Sequence, residues 1–193
     1  MPAYTEIRAR GGITGPRRGE AELTALLGAF CFFLSAVEYM VPKPLPFMRL
    51  GIANLPILLA IDLLPLPWYL ALALVKVVGM SLISGSLFSY VALFSLAGTL
   101  VAALVMRGAR KAFGSLVSAV GISVLGAVSS NLVQIEIAGA VVFGDAARLV
   151  APPFLAMGLV TGILLGLFAQ AFTAKSDWYA RALASLGKGA PLG

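Results

Sequence analysis

The sequence has no histidine, one cysteine and few acids, and each shortage removes a class of function. Without histidine there is no Ser-His-Asp or Cys-His arrangement for nucleophilic catalysis. The scattered acids offer no metal-ligand spacing. Cys31 lies in an apolar run, forms no intrachain disulfide and reads as a small core residue. The aspartates Asp62, Asp145 and Asp177 stand far apart. Prenyl transfer on a diphosphate needs closely spaced carboxylates to hold Mg²⁺, and ATP hydrolysis needs a phosphate-binding loop that this chain lacks. The chain is read as non-catalytic. No cofactor is expected, since nothing here ligates a haem, an iron–sulfur cluster or a flavin covalently.

Charged residues make up 11% of the 193 positions, against about 25% in soluble domains. Hydrophobic residues make up 60% and mean hydropathy is +0.99, so the lipid bilayer is the expected solvent. A chain of this length holds about six spans. The apolar segments are 21–41, 49–64, 68–83, 87–106, 115–143 and 149–174. They predict an all-α six-transmembrane-helix bundle over 21–174, flanked by cytoplasmic tails at 1–20 and 175–193. The first apolar run is too long for a secretory signal and contains Glu38, so it reads as an uncleaved span. The second is closed by Pro65 and Pro67. The fifth exceeds what a span needs, implying tilt or an extension past the membrane surface.

The formal charge of +6 invites a nucleic-acid reading, but its distribution speaks for topology instead. With the N-terminus inside, the inner segments hold Arg8, Arg10, Arg17, Arg18, Arg107, Arg110, Lys111, Lys175, Arg181 and Lys188. The outer loops hold only Lys43, Arg49 and Arg148. Both termini are therefore expected in the cytoplasm of a bacterial inner-membrane protein.

Polar residues inside such spans must find partners in protein or line a cavity. The stretch 114–144 carries Asn131, Gln134 and Glu136. Asn131 and Gln134 share a helix face with Ala127, Ser130 and Ala138. The opposite face, with Ile122, Leu125, Leu132 and Val133, suits lipid or apolar packing. Topology then brings Glu38, Asn54, Lys76, Ser81, Tyr90, Asn131 and Gln134 toward one half of the membrane, as a pocket open to the outside would require. Asp62 and Gln170 are left near the inner surface, where water can solvate them.

Each candidate has a plainer reading. Arg49 suits a ligand carboxylate or phosphate, and equally snorkelling or a pair with Glu38. Lys76, at mid-span, needs Glu38, Asn131 or a ligand anion. For Asn131 and Gln134 the alternative is interhelical hydrogen bonding. Tyr90, with Phe88 and Phe94, suits stacking on a flat ligand or ordinary apolar packing. Glu136 reads as interfacial or paired with Arg148. Trp68 and Trp178 read as interfacial anchors. Ala21, Ala25 and Ala29, with Gly28 beside them, form a small-residue stripe that admits a second helix closely, inside the bundle or from a partner.

Three stretches carry a family resemblance: PFMRLGIANLPIL at 46–58, KVVGMSLISGSLFSYVALFSLAGTL at 76–100 and VGISVLGAVSSNLVQ at 120–134. They resemble the Gx transporter family, also labelled heptaprenyl diphosphate synthase component I. That family is similar to the substrate-binding S components of energy-coupling factor (ECF) transporters. The resemblance implies a six-helix subunit that binds a vitamin-like or cofactor-precursor molecule from outside. It also implies partners: a coupling transmembrane protein and two ABC ATPases, docked through Ala21, Ala25 and Ala29. The substrate-binding set is then Arg49, Asn54, Lys76, Ser81, Tyr90, Asn131 and Gln134, with the Lys43–Pro46 loop as a cover. The alternative is a non-catalytic membrane subunit of a prenyl/quinone or flavin-linked extracellular electron-transfer pathway.

Overall fold

A computed structural model describes residues 16–41 and 51–186, and among these the chain is helical with no strand. The helices are α1 (Pro16–Met40), α2 (Leu55–Leu63), α3 (Leu66–Ile83), α4 (Tyr90–Phe113), α5 (Ala119–Ala138), α6 (Ala147–Lys175) and α7 (Asp177–Ser185). Local chemistry explains several boundaries. Pro65 precedes α3 and Pro67 lies in its first turn, where a missing N–H costs nothing. Ser89, Ser118 and Ser176 accept backbone N–H bonds at the starts of α4, α5 and α7. The prolines expected to close the second segment thus also open α3, two residues earlier than expected.

Among the described residues, four stretches are long and apolar enough to cross a membrane: Gly19–Met40, Leu66–Ile83, Tyr90–Phe113 and Ala119–Lys175. The last, 57 residues long, is broken by a π turn at Gly139–Phe143 and a 3-10 turn at Gly144–Ala146. These turns absorb the excess length of the fifth expected segment. Gly144, at φ 53°, turns the chain back, and α6 returns antiparallel along α5. Among the described residues these helices make four long stretches, one of them doubled back, and one short helix where a short second segment was expected. The chain is a multi-pass membrane protein. The segment after 175, expected as a tail, forms α7, and Tyr179, Ala182 and Leu183 bury against the core.

α2 holds the centre. Eight of its nine residues are buried, and it touches every other α-helix among the described residues. Around it α1 packs on α3, α3 on α4, α4 on α5 and α5 on α6. With its 3-10 entry, Ile52–Asn54, α2 rises roughly 20 Å, short of the ~30 Å hydrocarbon core. Both its ends therefore finish inside protein, and their unpaired backbone groups need partners there. At the start, Glu38 of α1 accepts hydrogen bonds from Gly51 N (3.2 Å) and Ala53 N (3.3 Å). At the end, Arg107 of α4 donates to Ile61 O (3.1 Å) and Leu64 O (2.7 Å). Tyr179 donates to Leu59 O at 3.2 Å. Burial pushes the Tyr179 phenol up, Asp62 adds to the shift and Arg110 opposes it, so the phenol stays a donor. Anion at the start and cation at the end match the helix dipole.

Two expectations change. Asp62 is not left to water: Arg110 grips it with Nε and Nη2 at 3.1 and 3.2 Å. Ile122 does not face lipid; it is fully buried in the core, because α5 packs on both α4 and α6. Leu125 and Leu132, on the same expected face, are exposed. Trp68 and Trp178 both pack against the apolar core.

Replacing Arg107 by Met removes both donors from the end of α2 and strands two carbonyls. Thermal unfolding of the purified protein in detergent should show a loss of about 2 kcal/mol. Arg110→Met, which breaks a partly exposed pair, should cost about 1 kcal/mol or less.

Candidate functional site

Polar residues from the entry to α2 and from α3 to α6 converge on a cavity at the centre of the bundle. Lys76 of α3 is 5% exposed and donates from Nζ to Thr99 Oγ1 of α4 at 2.9 Å. Thr99 and Ser95 lie four apart and so share a face of α4; both line the cavity. From α5 come Ser123, Ser130, Asn131 and Gln134, and from α6 Thr161. Asn54 enters from the 3-10 turn before α2. Gly51, left-handed at φ 80°, makes that entry possible. The space open to water is about 30 Å³, enough for two or three water molecules and well below the several hundred Å³ of an open ligand pocket. The helices are closed around the polar groups.

Two amides are fixed by their own N–H groups. Asn131 Nδ2 donates to Phe154 O of α6 at 2.8 Å. Gln134 Nε2 donates to Ser130 O (3.3 Å) and Ser130 Oγ (2.9 Å) one turn back. Glycines make room for both. A Cβ at Gly158 would strike Asn131 Nδ2, and one at Gly98 would lie 2.7 Å from Gln134 Nε2. Further along α6, Gly162 lies against Val124 and Ala127, and Gly166 against the backbone of Val120. Gly158, Gly162 and Gly166 thus form a GxxxGxxxG ladder seating α6 on α5.

The structure brings Asn54, Lys76, Asn131 and Gln134 together. Arg49 and the Lys43–Pro46 loop fall outside the described residues. Ser81 is fully buried with no hydrogen bond to its hydroxyl, and lies outside the cavity lining. Tyr90 is half exposed, its ring 5.6 Å from that of Phe94, and is likewise outside the lining. Glu136 is exposed. Sequence reasoning missed Ser95, Thr99, Ser123 and Thr161 as lining residues. Their signal was hydroxyls at helical spacing opposite an intramembrane lysine. It also missed the glycine ladder, which is legible as three glycines four apart in an apolar run.

A second concavity lies on α1. Ala21, Ala25, Gly28 and Ala29 line a shallow groove of about 600 Å³, bounded by Thr24, Phe32 and Val75. Ala25 and Ala29 are exposed. Ala25 and Ala29 are thus not consumed by packing within the bundle, whereas Gly28 is buried against Val75 of α3.

Fold and cavity together define a multi-pass helical membrane protein with a buried polar centre and no described cluster of metal-ligating side chains. The chain belongs to the heptaprenyl diphosphate synthase component I family, whose model matches residues 27–172. This is the family whose resemblance the three motif stretches carry. No curated protein and no solved structure matches the chain.

Gly166→Leu should prevent α6 from seating and give no folded protein in detergent, because the clash is with backbone. Gly158→Ala should fold but displace the Asn131 amide, lowering stability by about 1–3 kcal/mol. Size-exclusion profiles and thermal melts of both variants check the pair.

Proposed function

We propose that the chain is the substrate-capture subunit, or S component, of an ECF-type importer. The charge asymmetry supports both termini in the cytoplasm, and six membrane passages require that α2 count as one, surrounded by protein. The observation that carries the reading is the central cavity with Lys76, Asn54, Asn131 and Gln134 held in a bilayer. Buried polar groups on this scale are costly without a function. Substrate would enter from outside, and the closed cavity would widen to admit a vitamin-like or cofactor-precursor molecule. The open small-residue groove on α1 supports docking of a coupling transmembrane protein through Ala21, Ala25 and Ala29, with two ABC ATPases supplying the energy.

The family description supports a second reading, a non-catalytic membrane component of a prenyl diphosphate synthase or a related quinone- or flavin-linked pathway. Purification of the tagged chain from its native membranes, followed by mass spectrometry, separates the two. Capture for import predicts two ABC ATPases and a coupling membrane protein. A prenyl synthase or extracellular electron-transfer protein, with no ATPase, puts the second reading first. In the same assay Ala25→Trp should abolish partner recovery while the variant still elutes as a folded protein. Partners recovered undiminished would remove α1 as the docking face.

A further inference from the structure

The cavity has a chemical bias that its single lysine conceals. Ser95 is 1% exposed, and its hydroxyl meets no hydrogen-bonding group; Asn54 Oδ1 is likewise buried and without a partner. Asn131 gives one amide hydrogen to Phe154 O, and Gln134 donates to Ser130 O and Oγ; their oxygens, Asn131 Oδ1 and Gln134 Oε1, are acceptors. Asn54 Oδ1 and the Ser95 hydroxyl are thus the cavity's buried groups without a partner, with Asn131 and Gln134 lining the same cavity, and amide oxygens only accept. Lys76, the cation of the cavity, already donates to Thr99. Buried acceptors left empty are destabilising unless an occupant supplies hydrogens. A metal cation would satisfy them equally, but the Lys76 ammonium in the same cavity opposes a second positive charge.

We propose that this cavity selects a neutral small molecule by the N–H or O–H donors it presents to Asn54, Asn131, Gln134 and Ser95. An anion held by Lys76 is not its substrate class. The proposal rests on the capture reading and names what is captured. A site built around hydrogen bonds also discriminates strongly against analogues lacking them, because its buried groups are then left unpaired.

Three near-isosteric probes test it on the full chain in nanodiscs by saturation-transfer NMR: acetamide, neutral with donors; acetone, neutral without them; and acetate, an anion without them. Each has about four heavy atoms, so size does not separate them. Acetamide should bind about tenfold more tightly than either of the others. Asn54→Leu should weaken acetamide about tenfold, and Ser95→Ala should weaken it without lowering the unfolding temperature, since the lost hydroxyl has no protein partner. Equal binding of the three probes, binding of none, or a lower unfolding temperature in Ser95→Ala overturns the proposal. Preference for acetate also overturns it, yet leaves capture for import standing. Failure to recover ATPases from native membranes removes the import reading whatever the probes show.

Discussion

A helix too short for the membrane, surrounded on all sides by other helices, is the constraint on which this structure depends. α2 is apolar enough to be drawn into the bundle, and nearly every side chain it has is buried. Its backbone ends then stop where no bulk water reaches them, and unpaired N–H and C=O groups there are costly. The chain meets this with charge of the matching sign at each end: Glu38 reaching from α1, Arg107 from α4. These are not surface charges added to a finished core. They connect the outer helices to the centre, and α7 adds a third tie through Tyr179.

The same shortness makes the site. A full-length central helix would fill the bundle from end to end. Because α2 begins late, through a tight turn at Gly51, the space beside that turn is left to side chains from the surrounding helices. Asn54 stands at the junction of the two roles: it belongs to the entry of α2 and it lines the cavity. Fold and site thus share residues, and a change at the start of α2 touches both.

Much of this was legible in the sequence where the signal was local. Apolar length gave the membrane class, and the excess length of the fifth segment was already visible as an anomaly. Asn131, Gln134 and Lys76 stood out because polar groups within apolar runs are rare and need partners. What was not legible depended on partners distant in the chain. The Arg110–Asp62 pair joins residues 48 positions apart, and nothing in either neighbourhood announces it. Ile122 resembles a lipid-facing residue until one knows that α5 is flanked on two sides. Serine and threonine were undervalued because single hydroxyls are common in membrane helices. Only the fold shows that Thr99 meets a lysine and that Ser95 lines the same cavity.

The glycines of this chain also set how far the cavity can change shape. At Gly158 and Gly98 any added carbon runs into the amides of Asn131 and Gln134, so the α4–α6 wall holds its shape by having nothing to spare. At Gly51, whose φ is 80°, an added carbon would lie 3.2 Å from Asn54 Nδ2, so the entry of α2 is fixed in the same way. Each of the three amides is thus backed by a glycine, and a different occupant has to be met by the amides as they stand, because the helices that carry them have no slack to give.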